Sequence, residues 1–263
     1  MNPARANDER SGDFVQSLQR GLSVINSFSR DHPSQTLSEV AERTGLTRAT
    51  SRRILLTLTD LGYVDREGRA FALTPKVLDL GYSFLSSFHV VEVAQPPLER
   101  LVGEVHESSS MSVLDGTEIV YVARVPTTRI MTIALALGSR LPAYPTSMGR
   151  VLLAGLSDAD LDHYMDQASF EKLTPHTITS PKRIGSIIRS VRSDGYALVD
   201  QELEEGLRSI AAPIRNGRGE VVAAMNVSCH SSRVSVERMH QELKPRLLDT
   251  ASEITERVSA LPM

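Results

Sequence analysis

The stretch Thr36–Leu61, TLSEVAERTGLTRATSRRILLTLTDL, decides how the first part of the chain folds. Leu37, Val40 and Ala41 recur at three- and four-residue steps, so they share one face of a short helix from Thr36 to Thr44. Thr36 or Ser38 can cap that helix, and Gly45 ends it. A second helix starts at Thr47 and runs to Leu61, held down by Ile54, Leu55, Leu58 and Leu61 and stopped by Gly62. Between Arg43 and Thr59 there are four arginines (Arg43, Arg48, Arg52 and Arg53) and no acid. The helix therefore presents a basic start and an apolar underside.

The flanks fit this centre. Upstream, Val15, Leu18, Leu22, Ile25 and Phe28 form one stripe of a helix from Phe14 to Phe28, and Asp31-His32-Pro33-Ser34 breaks the pattern. Downstream, two short apolar runs within Tyr63–Leu73 flank Glu67-Gly68, the pattern of a hairpin. Three helices followed by a β-hairpin is the order of a winged helix-turn-helix. A recognition helix points its N-terminal residues at base edges in the major groove. Arginine there bonds guanine or phosphate, and serine and threonine reach either. The candidate DNA contacts are Ser17, Arg20, Ser38, Thr47, Arg48, Thr50, Ser51, Arg52 and Arg53, with Arg66 and Arg69 beside the hairpin turn. The competing reading is a solvated basic face on an ordinary helical bundle.

The whole chain is not basic. Its 263 residues carry a net charge of −3, with 41% hydrophobic and 23% charged residues. That balance excludes a mostly disordered or collagen-like chain, and the length suggests two domains. A local basic patch on an acidic chain is the mark of one small phosphate-meeting module. The single cysteine, Cys229, excludes an intrachain disulfide and cysteine-rich zinc sites, and an unpaired thiol fits a reducing cytoplasm. No apolar run is long enough to span a bilayer. Residues 1–13 are polar, lack the apolar core of a leader, and read as a mobile tail.

Thr74-Pro75 is a good helix start, and the helix through Leu78, Leu80, Tyr82, Phe84 and Leu85 reads as a linker. A further helix reaches about His106, with Pro96-Pro97 expected to interrupt or kink it. From Ser108 the period turns toward strands. Ser109–Leu114 and Thr117–Val125 flank Asp115-Gly116, and Arg129–Leu135 reads as a third strand. Helices over Thr146–Ala154, Ser157–Met165 and Pro181–Ser193 follow. Strands over Gly195–Val199, Arg208–Ile214 and Glu220–Ser228 come next, and a last helix runs from Val234 to about Leu261, with Pro245 a candidate kink. The fold class is α+β: a winged helix-turn-helix over 14–75, a linker over 76–89, and a mainly antiparallel second domain over 90–263.

This second half carries a different candidate site. Ala224, Asn226 and Ser228 share one face of the last strand, and Ser209, Ala211 and Pro213 are likewise small on the strand before it. Small polar side chains on neighbouring strands leave room for a ligand and orient it, although a solvent-wetted sheet face gives the same pattern. Pro145-Thr146-Ser147-Met148-Gly149 opens a helix whose free N–H groups make an anion seat. Arg124, Arg129 and Arg140 precede it, and an arginine near such a seat suits a dicarboxylate.

Enzyme signatures are weak. No phosphate-binding loop, nucleophile elbow or dinucleotide fingerprint is present. Asp158, Asp160, Asp162 and His163 lack the glycine and terminal glutamate of a calcium loop. Asp200, Glu202, Glu204 and Glu205 read as a solvated loop. Cys229 and His230, adjacent on a strand, face opposite ways. No metal and no cofactor are expected.

Taken together, these segments resemble the IclR-type transcriptional regulators over about Phe14 to Leu261. The resemblance rests on Val15–Leu22, Leu37–Ala41, Thr50–Leu55, Gly62-Tyr63-Val64, Leu73-Thr74-Pro75, Gly195-Tyr196-Ala197, Asp200, Glu202, Gly206 and Ile210–Ile214. Within that family the chain is similar to regulators of the β-ketoadipate (protocatechuate) pathway, through Arg124–Met131, Leu141–Ala154 and Asn226-Val227-Ser228. It departs where many members carry Ser-Gly-Pro, having Ser228-Cys229-His230 instead. The resemblance implies a winged helix that binds operator DNA as a homodimer, a GAF-like effector domain, and dimers that pair into tetramers. It places effector contacts on Ile130, Ile133, Leu141, Ser147, Met148, Ser209, Asn226 and Ser228, to which the residue reading adds Arg129. The expected partners are double-stranded DNA and a small carboxylate such as β-ketoadipate or protocatechuate, with no membrane. The rivals are an enzyme acting on a small carboxylate and a constitutive DNA-binding scaffold.

Overall fold

A computed structural model of the chain describes residues 14–87, 89–127 and 135–260. The chain divides into two compact units, Met1–Ser86 and Ser87–Met263.

The first unit contains α1 (Gln16–Asn26), β1 (Ser34–Thr36), α2 (Leu37–Thr44), α3 (Arg48–Asp60), β2 (Val64–Glu67) and β3 (Ala70–Leu73). Thr36, not Ser38, caps α2. Its hydroxyl accepts the Glu39 N–H while the Glu39 carboxylate takes the Thr36 N–H, a reciprocal capping box. The bond to the Thr36 backbone is the main reason the Glu39 carboxyl titrates below its usual range. Gly45 ends α2 at φ 66°, and Thr47 caps α3 by accepting the Thr50 N–H at 3.2 Å. The core beneath joins Val24, Phe28, Val40, Leu55, Leu58, Val64 and Phe71.

Two sequence expectations change here. The break at Asp31–Ser34 leads into β1, which pairs with β3 so that the sheet order is β1-β3-β2. Buried Gln35 fixes this strand by donating from Nε2 to the Ser27 carbonyl at 3.0 Å. Only the later part of the apolar stripe of the first helix is buried. Val24 and Phe28 are buried and Ile25 half-buried, whereas Val15, Leu18 and Leu22 are exposed. Only the C-terminal end of α1 meets the small core.

After a 3₁₀ turn at Pro75–Val77, α4 (Leu78–Ser87) exposes Leu78, Leu80, Tyr82 and Phe84.

The second unit runs α5 (Val90–Val105), β4 (Ser108–Asp115), β5 (Glu118–Val125), β6 (Arg140–Pro142), α6 (Ser147–Ala154), α7 (Asp158–Gln167), α8 (Pro181–Asp194), β7 (Ala197–Asp200), β8 (Leu207–Arg215) and β9 (Val221–His230). α9 (Val236–Arg238), a π-helical turn (Met239–Leu243) and α10 (Lys244–Ser259) close it. The strands make one antiparallel sheet in the order β6-β5-β4-β9-β8-β7. Each face has its own core. On one, Met111, Ile210, Ala212, Met225 and Val227 meet α5 and α10 through Leu98, Leu101, Leu247 and Ile254. On the other, Ile119, Ala197, Ala211 and Ala224 meet α6, α7 and α8. The α+β class expected from the sequence is the class found.

Pro96 and Pro97 do not interrupt α5. Proline removes a backbone bond, but Ala94, Pro97, Leu98, Leu101 and Val105 are buried along this helix, and that packing offsets the loss. Pro245 sits in the first turn of α10, directly after the π turn. Its missing N–H explains the wider turn before it. The expected strand Arg129–Leu135 falls almost wholly on residues 128–134, outside the described residues. β6, three residues long, was not legible in the sequence.

Candidate functional site

α3 stands over the core on Leu55 and Leu58, with Ile54 half-buried, and turns Thr47, Arg48, Arg52 and Arg53 to solvent. Thr50 is half-buried, and its hydroxyl accepts from Thr47 Oγ1 at 2.9 Å. Ser51 corrects the sequence reading. It is fully buried, and its Oγ lacks a hydrogen-bond partner, so it lies under the helix rather than on the DNA side. Four residues before Leu55 and seven before Leu58, its position belongs with them rather than with the arginines. Ser17, Arg20, Thr50 and Arg53 line a groove of about 520 Å³ between α1 and α3, together with Leu18, Ile54 and Leu61. Ser38 is exposed in the first turn of α2. At the hairpin, Arg66 and Arg69 are exposed. Arg66 donates from Nε to the Gly68 carbonyl at 3.0 Å and lies 5.7 Å from the Phe71 ring centre, which stiffens the tip.

In the second unit the polar face of β8 and β9 is not wetted by solvent. α6 lies across it with every residue from Ser147 to Ala154 buried. Thr146 caps α6 by accepting the Gly149 N–H at 3.0 Å, and the first intrahelical bond runs from Arg150 N–H to Thr146 O at 3.0 Å. The amides of Ser147 and Met148 therefore stay open at the positive end of the helix. Gly149 is required for this approach, because a Cβ there would sit 2.0 Å from the Ala143 carbonyl oxygen.

The helix start faces a small cavity. Ser147, Met148, Ser209, Asn226 and Ser228, all named from the sequence, line it together. Ser147 Oγ and Ser209 Oγ are 2.9 Å apart. Asn226 Oδ1 accepts the Ser110 N–H at 3.1 Å, which leaves the amide NH₂ as its donor end. Ser112 donates to the Met148 sulfur at 3.3 Å. Tyr121, Leu135, Val199, Leu203 and Leu207 close the walls and were missed in the sequence. The strand beside β9 did carry a signal: Ser108, Ser110 and Ser112 recur at the strand period, opposite Ser228, Asn226 and Ala224. Burial pushes the Tyr121 phenol up to about 12, with the Arg124 charge acting the other way, so it remains a hydrogen-bond donor. The space is about 20 Å³, enough for a water molecule, whereas ligand sites usually hold roughly 300 Å³ or more. An occupant the size of a ring carboxylate must part these walls.

Not every expected contact gathers there. Leu141 lies on β6 opposite Ile119 and packs into the apolar cluster, off the cavity wall. Arg129, Ile130 and Ile133 lie outside the described residues. Arg140 is a surface residue, paired with Glu118 at 2.7 Å and Asp115 at 2.6 Å.

Behind the seat lies an ion pair that the sequence reading took for a solvated loop. Arg150 donates to Glu202 at 2.7 Å and to the Tyr144 carbonyl at 2.9 Å, with side chains only 3% and 7% exposed. Glu202 also accepts the Ile178 N–H at 3.0 Å, and Thr177 donates to its carbonyl at 2.6 Å. Asp200 holds Arg208 by two 2.8 Å bonds. Cys229 is buried, and desolvation pushes its thiol up to about 12, so it is no nucleophile at neutral pH. Among the described residues no cluster of histidine, cysteine or acidic side chains could hold a metal, and no helix is long and apolar enough to cross a membrane.

A winged helix-turn-helix followed by a domain with a buried polar cavity defines a one-component DNA-binding regulator. Comparison with known proteins gives the family. Residues 17–68 match the IclR helix-turn-helix domain, and residues 82–256 match the bacterial transcriptional regulator IclR C-terminal domain. The chain belongs to the IclR family of bacterial transcriptional regulators. It is 43% identical over 243 residues to the Pca regulon regulatory protein of Pseudomonas putida, covering 92% of this chain and 84% of that one. A transcriptional regulator from Rhodococcus sp. RHA1 superposes with a TM-score of 0.85 at 54% identity, covering 95% of this chain and all of that one. The inducer-binding domain of a double mutant of the Acinetobacter PobR transcription factor, in complex with 3-hydroxybenzoic acid, matches at 33% identity and TM-score 0.60. That match covers 63% of this chain and 97% of the other.

Proposed function

We propose that the chain is a ligand-gated regulator of aromatic-acid catabolism that acts in the cytoplasm and is not an enzyme. Residues 14–75 read operator DNA, 76–89 link, and 90–263 take a small carboxylate such as β-ketoadipate or protocatechuate. The observation that carries the reading is the open start of α6, facing Ser209, Asn226 and Ser228 across a buried cavity. The carboxylate accepts the Ser147 and Met148 N–H groups, and the serines and Asn226 orient the rest of the molecule. The named relatives support the ligand class: one regulates a Pca regulon, and another binds a hydroxybenzoic acid.

Arg48 and Arg52, one helical turn apart and both exposed, face the major groove, and Arg66 and Arg69 reach the backbone beside it. Homodimers form through the exposed apolar residues of α1 and α4, and dimers pair into tetramers. Gating follows from the narrow cavity. A ligand that fits only parted walls shifts the population toward the arrangement with parted walls, and the linker carries that shift to the DNA-reading heads.

The test is a gel shift on DNA upstream of the chain's own gene, titrated with β-ketoadipate and with protocatechuate. One of them is expected to change operator affinity by about 5–150-fold, the usual range of allosteric coupling. The double variant Asn226→Ala, Ser228→Ala should lose that response and keep operator binding. Loss of operator binding in the folded double variant refutes the assignment, and so does turnover of either acid.

A further inference from the structure

We infer that Lys76 is a positioning residue for DNA reading: from the start of the linker it holds the far end of α3, and so fixes the tilt at which that helix meets a base sequence. The inference rests on the reading of α3 as the recognition helix.

α3 is fastened unevenly. Thr47 caps its N-terminal end, and its underside is buried through Ser51, Leu55 and Leu58. After Leu58 the hold ends. Thr59 is half-buried, and Asp60 and Leu61 are exposed. The last turn carries no base, and Asp60 adds a negative charge where the helix dipole is already negative. Gly62 then leaves the helix at φ 80°. A helix end with open carbonyls and no buried anchor needs another segment to take those groups.

The entry to the linker does this. Three consecutive carbonyls, those of Leu61, Gly62 and Tyr63, are taken by Thr74 and Lys76. Lys76 Nζ donates to the Leu61 carbonyl at 2.8 Å, and Thr74 Oγ1 donates to the Gly62 carbonyl at 2.6 Å. The Thr74 N–H donates to the Tyr63 carbonyl at 2.9 Å, extending the β2–β3 ladder. The Lys76 ammonium also lies 5.0 Å from the Tyr63 ring centre. It supplies the cation that the end of α3 lacks. Thr74 in turn caps the 3₁₀ turn Pro75–Val77 by accepting the Lys76 N–H at 3.3 Å, so the lysine starts from a fixed turn.

Holding and reading are at opposite ends. Arg48 and Leu61 lie about 20 Å apart along the helix axis. With α3 seated on Leu55 and Leu58, a tilt at the Leu61 end swings the Arg48 end the other way. Bonds to base edges are lost in such a swing, whereas attraction to phosphate persists. Lys76 therefore acts on the preference for one sequence rather than on affinity for DNA in general.

The experiment measures binding of the full chain, without effector, to the DNA upstream of its own gene and to a scrambled duplex of the same composition. Salt is varied from about 50 to 200 mM. Wild type, Lys76→Met and Lys76→Arg are compared, with circular dichroism as the fold control. Lys76→Met keeps the stem and removes donor and charge. Its affinity for the upstream DNA should fall about tenfold, while affinity for the scrambled duplex changes less than about threefold. Its salt slope should stay within about 0.3 of wild type, because the ammonium sits on a carbonyl and not on a phosphate. Lys76→Arg should regain part of the preference, since it keeps a donor and the ring contact. A slope lowered by about 0.9, with equal losses on both duplexes, makes Lys76 a phosphate contact and overturns the inference. A folded Lys76→Met variant with the wild-type preference overturns it too, because the bond is then merely structural. Lys76→Gln takes the place of Lys76→Met if that variant does not fold. A wild-type chain with no preference for the upstream DNA overturns the reading of α3 together with the inference.

Discussion

The two units treat their polar and apolar side chains in opposite ways. In the first, the groups proposed to act (Arg48, Arg52, Arg66 and Arg69) stand in solvent, and so do Leu18, Leu22, Leu61, Leu78, Leu80, Tyr82 and Phe84. In the second, Ser147, Ser209, Asn226 and Ser228 are buried beside an ion pair, and apolar clusters cover both faces of the sheet. The contrast follows from size. A unit of short helices and a small three-stranded sheet encloses only a small core, so much of its apolar surface remains for other molecules to cover. A six-stranded sheet with helices on both sides can bury polar groups, provided each finds a partner. The first unit works through what it leaves outside, the second through what it holds inside.

The largest effect should come from Gly149. A methyl group there meets the Ala143 backbone at 2.0–2.6 Å, so Gly149→Ala must force apart α6 and the segment that leads into it. Urea denaturation should show a loss of about 4 kcal/mol or more in the second unit, or no folded second unit at all. A loss under about 1 kcal/mol would mean that α6 is not held as closely as described.

Next is the buried ion pair. Arg150→Met leaves Glu202 charged and enclosed, and should cost about 3–5 kcal/mol. Adding Glu202→Leu should recover much of that, because removing both charges removes the uncompensated one. A double variant no more stable than the single one would show that Thr177 and Ile178, rather than the charge pair, fix this loop.

The exposed side of the contrast is probed by Arg52→Ala. Operator affinity should fall, and the slope of log K against log salt should drop by about 0.9 if Arg52 meets a phosphate. An unchanged affinity removes Arg52 from the interface. Smallest of all is Ser51→Ala. A buried hydroxyl without a partner contributes little, so stability should change by less than about 1 kcal/mol, with a gain the expected sign. Operator affinity should not move. A marked loss of DNA binding would put Ser51 back among the contacts and blur the division between the two units.

Much of this was legible before any coordinates. Thr36, Gly45 and Thr47 mark the helix ends where the caps form, and Glu67-Gly68 and Asp115-Gly116 mark turns that join paired strands. Ser209, Asn226 and Ser228 were picked out by strand alternation, and Ser147-Met148 by the cap ahead of them. Other features were not legible. The stripe on α1 has helical spacing whether or not anything covers it, and Leu18 and Leu22, which share it with buried Phe28, lie exposed. Glu202 has the composition of a solvated loop, and only Arg150 arriving from α6 makes it an internal group.

The sequence by itself determined the order of the main helices and of the longer strands, the two-unit plan, the basic start of α3 and the small polar face of β8 and β9. These depend on residues within a turn or a strand of one another, where spacing and capping act directly. The tertiary structure alone decided which side of α3 Ser51 takes, that α6 closes the polar face into a cavity, and that Glu202 meets Arg150. Those outcomes depend on which distant element covers a given face, and no local pattern encodes the neighbour that long-range packing brings.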